Sequence, residues 1–424
     1  MFKKDLSDSS SIEKLSNDVV KRSAKLNGLK NSEDIVRQMT DLFKQIHGRD
    51  VDNKFFSPGR VNLIGDHIDY NGGSVFPCAL TLGTYAVVSP RDDRRVSFCS
   101  LNYPQQGIVK CTLDDLSNIK SHGWTNYAKG MISVLADAGY PLQHGFDSVI
   151  YGNIPTASGL SSSASLELLY GVIVRSLGAY SNDDLDGIKL AKLAQKDENE
   201  FIGVNCGIMD QFAIAMGRDQ HAILLNTDTL AYEYAPLKLD GQSLIIANTN
   251  KKRGLADSKY NERRSECEAA LKNLQTELNI DNLCEIDLAT LQQHRHLIAD
   301  ETCYRRARHA VNEQQHVVES LKALAVNDLE KFGELMNKSH NSLRDDYEVT
   351  GIELDTLVEN ARKVTGCLGA RVTGAGFGGC TVNLVKTDSI DKFIDEVGAG
   401  YHKAIGYSAD FYIVSTGDGA RELK

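Results

Sequence analysis

The chain lacks the long apolar runs and the excess of basic residues that mark several large classes of protein. None of its 424 residues belong to an apolar run of about 18, the length a membrane helix needs, and the opening MFKKDLSDSSSIEKLSND has no apolar signal core. A net charge of −10 does not supply the basic field that nucleic acid or an acidic membrane requires. We therefore expect a cytoplasmic protein with no nucleic-acid or membrane partner.

The cysteines also lack a pattern. Nine of them lie between Cys78 and Cys380, and no two form a C-x-x-C pair. An odd number argues against a disulfide framework, and the absence of close pairs argues against a zinc site. With 42% hydrophobic and 25% charged residues, the composition is that of a globular chain long enough for two or three domains.

Strand-rich and helix-rich blocks follow one another along the chain. Residues 11–48 have helical periodicity, and short strands separated by turns follow. Residues 161–178 read as a helix that ends at Gly178 and has five apolar residues on one face: Leu166, Leu169, Val172, Ile173 and Leu177. This order predicts an α+β fold in two domains, with a boundary between residues 215 and 240, and not alternating βαβ units.

The strongest chemical signal is TASGLSSSASLELL at residues 156–169. A glycine and three consecutive serines stand where a loop becomes a helix, so N–H groups and hydroxyls converge on the positive end of the helix dipole. Because one serine is enough to cap a helix, three behind a glycine favour a phosphate site, with simple capping as the alternative. No G-x-x-x-x-G-K-[ST] occurs in the chain, which excludes a Walker loop.

A second glycine-rich stretch, GAGFGG at residues 374–379, matches the dinucleotide pattern G-x-G-x-x-G. The residues after it, CTVNLV, predict a strand where that pattern requires a helix, and no βαβ unit is available so near the end of the chain. We therefore interpret these glycines as a loop that allows close approach of backbone to a ligand.

Several polar residues stand in unusual surroundings. GRVNLIGDHIDYNGG at residues 59–73 is either a solvated turn or a functional surface, and Asp210 in GIMDQF is either a helix cap or a functional carboxylate. A phosphate loop without a Walker lysine needs cations from elsewhere. Glu198, together with the Ser163 hydroxyl, could supply hard oxygen ligands to such an ion.

Three segments, PGRVNLIGDHIDYNGG, GLSSSAS and GAGFGG, resemble the three ordered motifs of the GHMP small-molecule kinases. The first of them, together with CGIMDQF and SKYNERRSECE, resembles the galactokinase branch of that family, and the likeness runs from about residue 50 to the C-terminus. The resemblance implies a ribosomal-protein-S5-like N-terminal domain over residues 20–225 and a ferredoxin-like C-terminal domain over residues 226–424. The active site is expected in the cleft between them.

The resemblance also implies a role for individual residues. Asp210 takes the proton of the sugar's anomeric hydroxyl and Arg60 orients it, while Ser163 and Glu198 bind Mg²⁺. Four residues contact the sugar: Asp66, His67, Asp69 and Tyr260. Ser100 and Trp124 lie near the adenosine, and the nucleotide phosphates are cradled by Ala157, Ser158, Gly159, Leu160, Ser161, Ser162 and Ser163.

The implied reaction is the ATP-dependent phosphorylation of D-galactose to α-D-galactose 1-phosphate and ADP, the first committed step of the Leloir pathway. A monomer without an obligate protein partner is expected. Two alternatives share the scaffold: an N-acetylgalactosamine kinase, and a galactose sensor without catalysis, against which the complete GLSSSAS loop argues. Two departures concern GDHIDYN, where galactokinases usually have GEHTDYN. Ile68 replaces a residue that we do not expect to be essential, whereas Asp66 retracts a carboxylate by one methylene, which puts one sugar contact in doubt.

Overall fold

The computed structural model describes residues 11–29, 31–155, 158–251 and 256–424. Within them the chain forms fourteen strands: β1 (Ser11–Glu13), β2 (Asn53–Asn62), β3 (Ser74–Val75), β4 (Pro77–Pro90), β5 (Arg95–Ser100), β6 (Ile108–Thr112), β7 (Phe146–Gly152), β8 (His221–Asn226), β9 (Tyr232–Pro236), β10 (Gln242–Asn248), β11 (Cys367–Thr373), β12 (Cys380–Lys386), β13 (Asp410–Val414) and β14 (Arg421–Leu423).

The described residues also form twelve α-helices: α1 (Asn17–Ser23), α2 (Ser32–His47), α3 (Thr125–Asp137), α4 (Ser162–Leu177), α5 (Gly187–Lys196), α6 (Met209–Met216), α7 (Ala256–Leu274), α8 (Leu288–Gln293), α9 (Glu301–Ala325), α10 (Leu329–Asp345), α11 (Gly351–Ala361) and α12 (Ile390–Ile405). A short π-helical stretch, Asp197–Ile202, continues α5. None of the described helices combines the length and apolar character that a membrane crossing requires.

The first half of the chain is organised around a seven-stranded sheet in the order β1-β6-β5-β7-β4-β2-β14. Its neighbouring strands are antiparallel except β5 and β7. Along β4, Ala86 and Val88 pack in the core that includes α3 and α4, whereas Tyr85 and Val87 pack in the core that includes α2. Since side chains alternate along a strand, this apolar run buries both faces of the sheet.

The second half is organised around an antiparallel four-stranded sheet in the order β11-β12-β10-β13. The same alternation occurs in β10, where Leu244 and Ile246 belong to the core shared with α9 and α10. Ile245 and Ala247 face the core formed with α11 and α12. Helices therefore cover both faces of this sheet as well, and the predicted α+β fold is confirmed.

The two halves are joined by a common core and by the end of the chain. One apolar cluster includes Val61 and Phe76 from the first half and Val311 and Val372 from the second. Strand β14 returns to the first sheet and pairs with β2. The division into residues 20–225 and 226–424 stays a prediction of the sequence.

Two local predictions, a helix and a loop, are confirmed. Helix α4 covers Ser162–Leu177 and is followed by Gly178, as the apolar periodicity indicated. The GAGFGG sequence joins β11 to β12 in an antiparallel pair, with Thr373 opposite Cys380. It is therefore a hairpin loop and not the start of a dinucleotide-binding helix; we call residues 374–379 the glycine loop.

Candidate active site

A cavity of about 380 Å³ opens between the two halves of the chain. Its walls come from residues 66–69, the loop 203–207, helices α6 and α7, and the start of the glycine loop. Six residues that were singled out in the sequence line it: Arg60, Asp66, His67, Asp69, Asp210 and Tyr260. Segments that are far apart in the chain thus meet around one space, as expected for a binding site.

Arg60 and Asp210 form a two-point ion pair at this cavity. Arg60 Nε and Nη2 donate to Asp210 Oδ1 and Oδ2, each at 2.8 Å. The remaining nitrogen, Nη1, donates to the carbonyl of Gly159 at 2.6 Å. The Arg60 side chain is only 5% exposed, whereas Asp210 is 30% exposed. The guanidinium is therefore fixed by the protein, while the carboxylate keeps a face towards the cavity.

The position of Asp210 decides between the two interpretations of its sequence context. Helix α6 has Ile208 at its N-cap, and Asp210 lies in the first turn with its carboxylate on Arg60. A helix-capping role is therefore wrong for this residue. A carboxylate in the first turn still benefits from the positive end of the helix dipole.

The serines of the GLSSSAS loop do not simply cap helix α4. Ser161 is at the N-cap position but makes no side-chain cap hydrogen bond, and its backbone is left-handed with φ of 61°. Its hydroxyl donates to Asp210 Oδ2 instead. A left-handed serine is unfavourable and is retained where a contact requires it. The simple capping interpretation of this loop is therefore wrong for Ser161.

Asp69 and Tyr260 form another part of the cavity wall. Burial, reinforced by the negative charges of Asp210 and Asp66, raises the pKa of Asp69 to about 7. The Tyr260 ring lies 5.6 Å from the His67 ring and 5.5 Å from the Tyr70 ring, measured between centroids. The wall therefore offers one carboxylate and an aromatic surface to a polar ligand.

His67 is held by the protein through both ring nitrogens. Nδ1 lies 2.8 Å from the Tyr70 hydroxyl, and Nε2 lies 3.2 Å from the carbonyl oxygen of Ala375 in the glycine loop. Burial, followed by the effect of His309, lowers the pKa of His67 to about 3, so the ring is neutral at physiological pH. A neutral ring accepts from Tyr70 and donates to Ala375, which fixes its tautomer.

Asp66 is also bound on both oxygens. Oδ1 accepts hydrogen bonds from Asn62 Nδ2 at 3.0 Å and from the backbone N–H of Gly374 at 3.3 Å. Oδ2 accepts from Arg371 Nη2 at 2.5 Å. Burial raises the pKa of Asp66, and the charge of Arg371 opposes this. Asn62, Asp66 and His67 are all buried, so the interpretation of this stretch as a solvated turn is wrong.

A second cavity, of about 210 Å³, is lined in part by the GLSSSAS loop. Four of the predicted nucleotide-contacting residues line it: Ser100, Trp124, Ser162 and Ser163. Ser158 and Leu160 are buried, and the Leu160 carbonyl accepts from the backbone N–H of Arg60 at 3.2 Å. Ala157 lies outside the described residues. The loop thus lines the second cavity and contacts the Arg60–Asp210 pair of the first.

Glu198 lies beside Ser163, in the π-helical stretch. Its Oε2 accepts from Gln211 Nε2 at 2.7 Å, and the Cys206 thiol lies 3.5 Å away. Burial, followed by the charge of Asp210, raises the pKa of Glu198, and a hydrogen bond from Ser163 opposes the rise. The described residues contain no group of three or more His, Cys, Asp or Glu that could bind a metal ion by themselves.

Sequence reasoning missed three buried residues around these cavities. Gln211 bridges Glu198 and Glu167, and Arg371 anchors Asp66. Glu167 is buried in α4 but lies outside the apolar face that the periodicity defined, and Gln211 adjoins Asp210 in the apolar stretch GIMDQF. A usable signal existed for Arg371, because a charged residue in the middle of the apolar strand GARVT must be paired if it is buried.

Comparison with family models gives three matches along the chain. Residues 41–90 match the galactokinase galactose-binding signature, residues 126–218 match the GHMP kinases N terminal domain, and residues 320–403 match the GHMP kinases C terminal model. The larger cavity is lined by residues of both halves of the chain, whereas the smaller one is lined by residues 84–166 alone. The two domain matches define the class of protein, that of the GHMP kinases.

Curated relatives give the branch within that class. A galactokinase of Clostridium acetobutylicum is 53% identical over 390 residues, which is 92% of this chain and 100% of the relative. A galactokinase of Ligilactobacillus salivarius is 53% identical over 385 residues, covering 91% of this chain and 99% of the relative. The chain belongs to the galactokinase family.

Solved structures agree with this assignment. The crystal structure of Lactococcus lactis galactokinase complexed with galactose has a TM-score of 0.88 and 48% identity, covering 92% of this chain and 100% of that chain. The mevalonate kinase of Methanococcus jannaschii, with a TM-score of 0.63 and 19% identity, covers 87% of this chain and 99% of its own. The latter similarity concerns the fold alone.

Proposed function

We propose that this chain transfers the terminal phosphoryl group of ATP to the anomeric hydroxyl of D-galactose and releases α-D-galactose 1-phosphate and ADP. The arrangement that carries this proposal is the Arg60–Asp210 pair, which lines the larger cavity. Ser161 connects that pair to the loop that lines the smaller cavity through Ser162 and Ser163. Sugar and nucleotide can thereby approach one carboxylate from two sides.

Asp210 acts as the proton acceptor in this proposal. Its Oδ2 accepts from both Arg60 and Ser161, whereas Oδ1 accepts from Arg60 Nε and retains an acceptor position for the sugar hydroxyl. As the new O–P bond forms and the bond to the ADP oxygen breaks, the hydroxyl proton passes to this carboxylate. General-base assistance of this kind contributes typically about 10²- to 10⁴-fold.

Arg60 holds Asp210 in place and supplies positive charge beside the transferring group. Phosphoryl transfer depends chiefly on positioning and charge neutralisation, for which a fixed guanidinium is suited. Three of its nitrogens are used by Asp210 and Gly159. Its side chain therefore needs no reorganisation when the substrates bind.

The larger cavity is the proposed galactose site. Asp69 and Tyr260 line it and offer a hydrogen-bond acceptor and an aromatic surface, and the start of the glycine loop adds backbone groups. Every sugar hydroxyl that is buried without a partner would cost about 1 to 3 kcal/mol, so a polyol requires several such groups. Asp66 and His67 contribute to the same wall, although their polar atoms are already bound within the protein.

The smaller cavity is the proposed site of ATP, with Ser100 and Trp124 near the adenosine and residues 158–163 near the phosphates. Ser163 and Glu198 fit a magnesium ion that is shared with the phosphates, because Mg²⁺ takes oxygen ligands and is often held by one carboxylate together with substrate phosphates. When bound, Mg²⁺ would neutralise phosphate charge. Helix α4 presents its N-terminal backbone N–H groups to the same region.

A coupled assay with three conditions tests the proposed function. ADP release is measured with galactose, with N-acetylgalactosamine and without sugar, at equal ATP and Mg²⁺. We expect rapid turnover with galactose alone. Preference for N-acetylgalactosamine would indicate the related kinase, and galactose binding without turnover would indicate a sensor. A monomer is also expected, and light scattering checks this expectation.

A further inference from the structure

Arg371 lies outside the residues assigned to chemistry or binding, yet it contacts the segment that forms one wall of the larger cavity. It stands in strand β11, and none of its side chain is exposed (0%). Nη1 donates to the backbone carbonyl of Asn62 at 3.2 Å, and Nη2 donates to Asp66 Oδ2. One guanidinium therefore binds both ends of the turn that follows β2, at Asn62 and at Asp66.

The other side of the guanidinium is fixed by helices α9 and α10. Nε donates to Ser339 Oγ at 3.2 Å, and Nη2 lies 3.8 Å from Glu313 Oε1. Glu313 Oε1 accepts from Ser339 at 2.6 Å and from the backbone N–H of Gly65 at 2.8 Å. Because Gly65 adjoins Asp66, Glu313 and Arg371 bind the same turn: Glu313 accepts from the Gly65 N–H, and Arg371 donates to Asn62 and Asp66.

The charges in this network depend on one another. Burial alone would raise the pKa of Glu313, but the hydrogen bond from His316 and the charge of Arg371 lower it below its ordinary value. The groups around Asp66 are donors: Asn62 Nδ2, the Gly374 N–H and Arg371. An ionised Asp66 can accept from all three, so removal of Arg371 would leave two buried carboxylates without their shared cation.

We propose that Arg371 is a positioning residue for galactose binding, acting through Asp66 and Asn62 to fix residues 62–69 against the glycine loop. The inference rests on the proposed function, and it deepens the account of the same site. In this view Asp66 influences the sugar by holding the wall in place and not by a separate contact of its own. Through the hydrogen bond from the Gly374 N–H to Asp66, the position of the glycine loop depends on the same contacts.

Loss of the Arg371 contacts should affect the KM values for the two substrates differently. The wall fixed by Arg371 belongs to the larger cavity, whereas the residues lining the smaller cavity come from β4, β5, β7 and the region of α3 and α4. Loss of the positioning contact should therefore raise the KM for galactose about tenfold or more, as expected for a charged hydrogen bond. The KM for ATP should change less than about twofold. A role in folding alone would lower the melting temperature and leave both KM values unchanged.

The test compares Arg371→Lys, Asp66→Asn and the double variant in steady-state kinetics and in galactose binding by calorimetry. Arg371→Lys keeps the positive charge but cannot donate to Asn62 and Asp66 through two separate guanidinium nitrogens. If Arg371 acts through Asp66, the double variant should resemble the more severe single variant. Multiplied effects in the double variant, or equal rises in the KM values for galactose and ATP, would overturn the proposal. If Arg371→Lys does not accumulate, Asp66→Asn supplies the same KM comparison.

Arg362→Lys is the matched control. Arg362 donates to the carbonyl of Ala370, the neighbour of Arg371 in β11, and to Asn337, but it does not contact residues 62–69. It should alter the stability of β11 without changing the KM for galactose. An unmodified chain that does not phosphorylate galactose would refute the proposed function itself. An active chain whose Arg371→Lys variant keeps the original KM for galactose would refute only the positioning role.

Discussion

Two arginine–aspartate pairs have different roles in this molecule: Arg60 binds Asp210 through two nitrogens, and Arg371 binds Asp66 through one. In the Arg60–Asp210 pair the carboxylate side chain is 30% exposed and faces the cavity. In the Arg371–Asp66 pair the side chains are 0% and 2% exposed, and both carboxylate oxygens are bound within the protein. A carboxylate is thus available for chemistry when one of its acceptor positions is accessible, and the ion pair alone does not make it so.

The largest effect should come from the exposed carboxylate. Asp210→Asn should lower kcat by about 10²- to 10⁴-fold, because the amide keeps the shape but cannot accept the proton. Galactose binding by calorimetry should change little. The matched control is Asp287→Asn, an exposed helix cap at which asparagine serves equally well. If Asp210→Asn kept more than about a tenth of kcat, Asp210 could not be the proton acceptor.

The second effect concerns the free energy of unfolding, which should fall by different amounts when the arginine of each pair is replaced. Arg371→Met should lower the free energy of unfolding by about 3 to 5 kcal/mol, because it leaves a buried carboxylate without its cation. Arg60→Met should cost less, since water can reach Asp210. Urea denaturation at neutral pH measures both values. Equal losses of stability would show that the difference in burial does not have the consequence ascribed to it.

The third effect concerns the proposed metal ligands. Glu198→Gln should raise the Mg²⁺ concentration for half-maximal activity by about 10-fold or more, because even the loss of a hydrogen-bond partner of a metal ligand costs about 10- to 100-fold in affinity. Ser163→Ala should have the smaller effect, since it removes a neutral ligand. Calorimetry of ATP binding with and without Mg²⁺ gives a readout besides activity. Unchanged magnesium dependence in both variants would place the ion elsewhere.

The smallest effect is a pH dependence that arises from Asp69. The pKa of this buried carboxyl is raised from its ordinary value of 3.8 to about 7, chiefly by burial. The folded chain therefore retains a proton that the unfolded chain releases, so stability falls as pH rises from about 4 to about 7 and then levels. Asp69→Asn should abolish that decline, measured as melting temperature against pH without sugar.

The same ionisation should appear in the kinetics. If galactose hydroxyls donate to the ionised Asp69, kcat/KM for galactose should rise with pH up to about 7 in the unmodified enzyme. In Asp69→Asn the absolute value should be lower and this rise should be lost. An unchanged pH profile in the variant would remove Asp69 from the sugar site.

The part of the fold that the sequence predicted is the part encoded locally. Helix α4 follows from its apolar periodicity and its glycine stop, and the hairpin at residues 374–379 follows from a strand where a helix was required. The Arg60–Asp210 contact joins residues 150 positions apart, and it was expected only through the family resemblance. Local patterns contain no information on such a distance.

Buried polar partners were the hardest features to anticipate. Arg371, Glu313 and Ser339 come from β11, α9 and α10, and each looks ordinary in its own segment. Their connection exists only after both halves of the chain have folded around residues 62–69. The sequence presented Asp66 as a sugar contact, and the structure adds the protein partners that already occupy its oxygens.

The most direct test of the account is the identity of the product. The unmodified chain is incubated with ATP, Mg²⁺ and D-galactose, and the sugar phosphate is analysed by proton and phosphorus NMR. The account predicts one product, with phosphate on the anomeric oxygen in the α configuration and one ADP formed for each molecule. Phosphate on another hydroxyl, or ADP formation without a sugar phosphate, would contradict it.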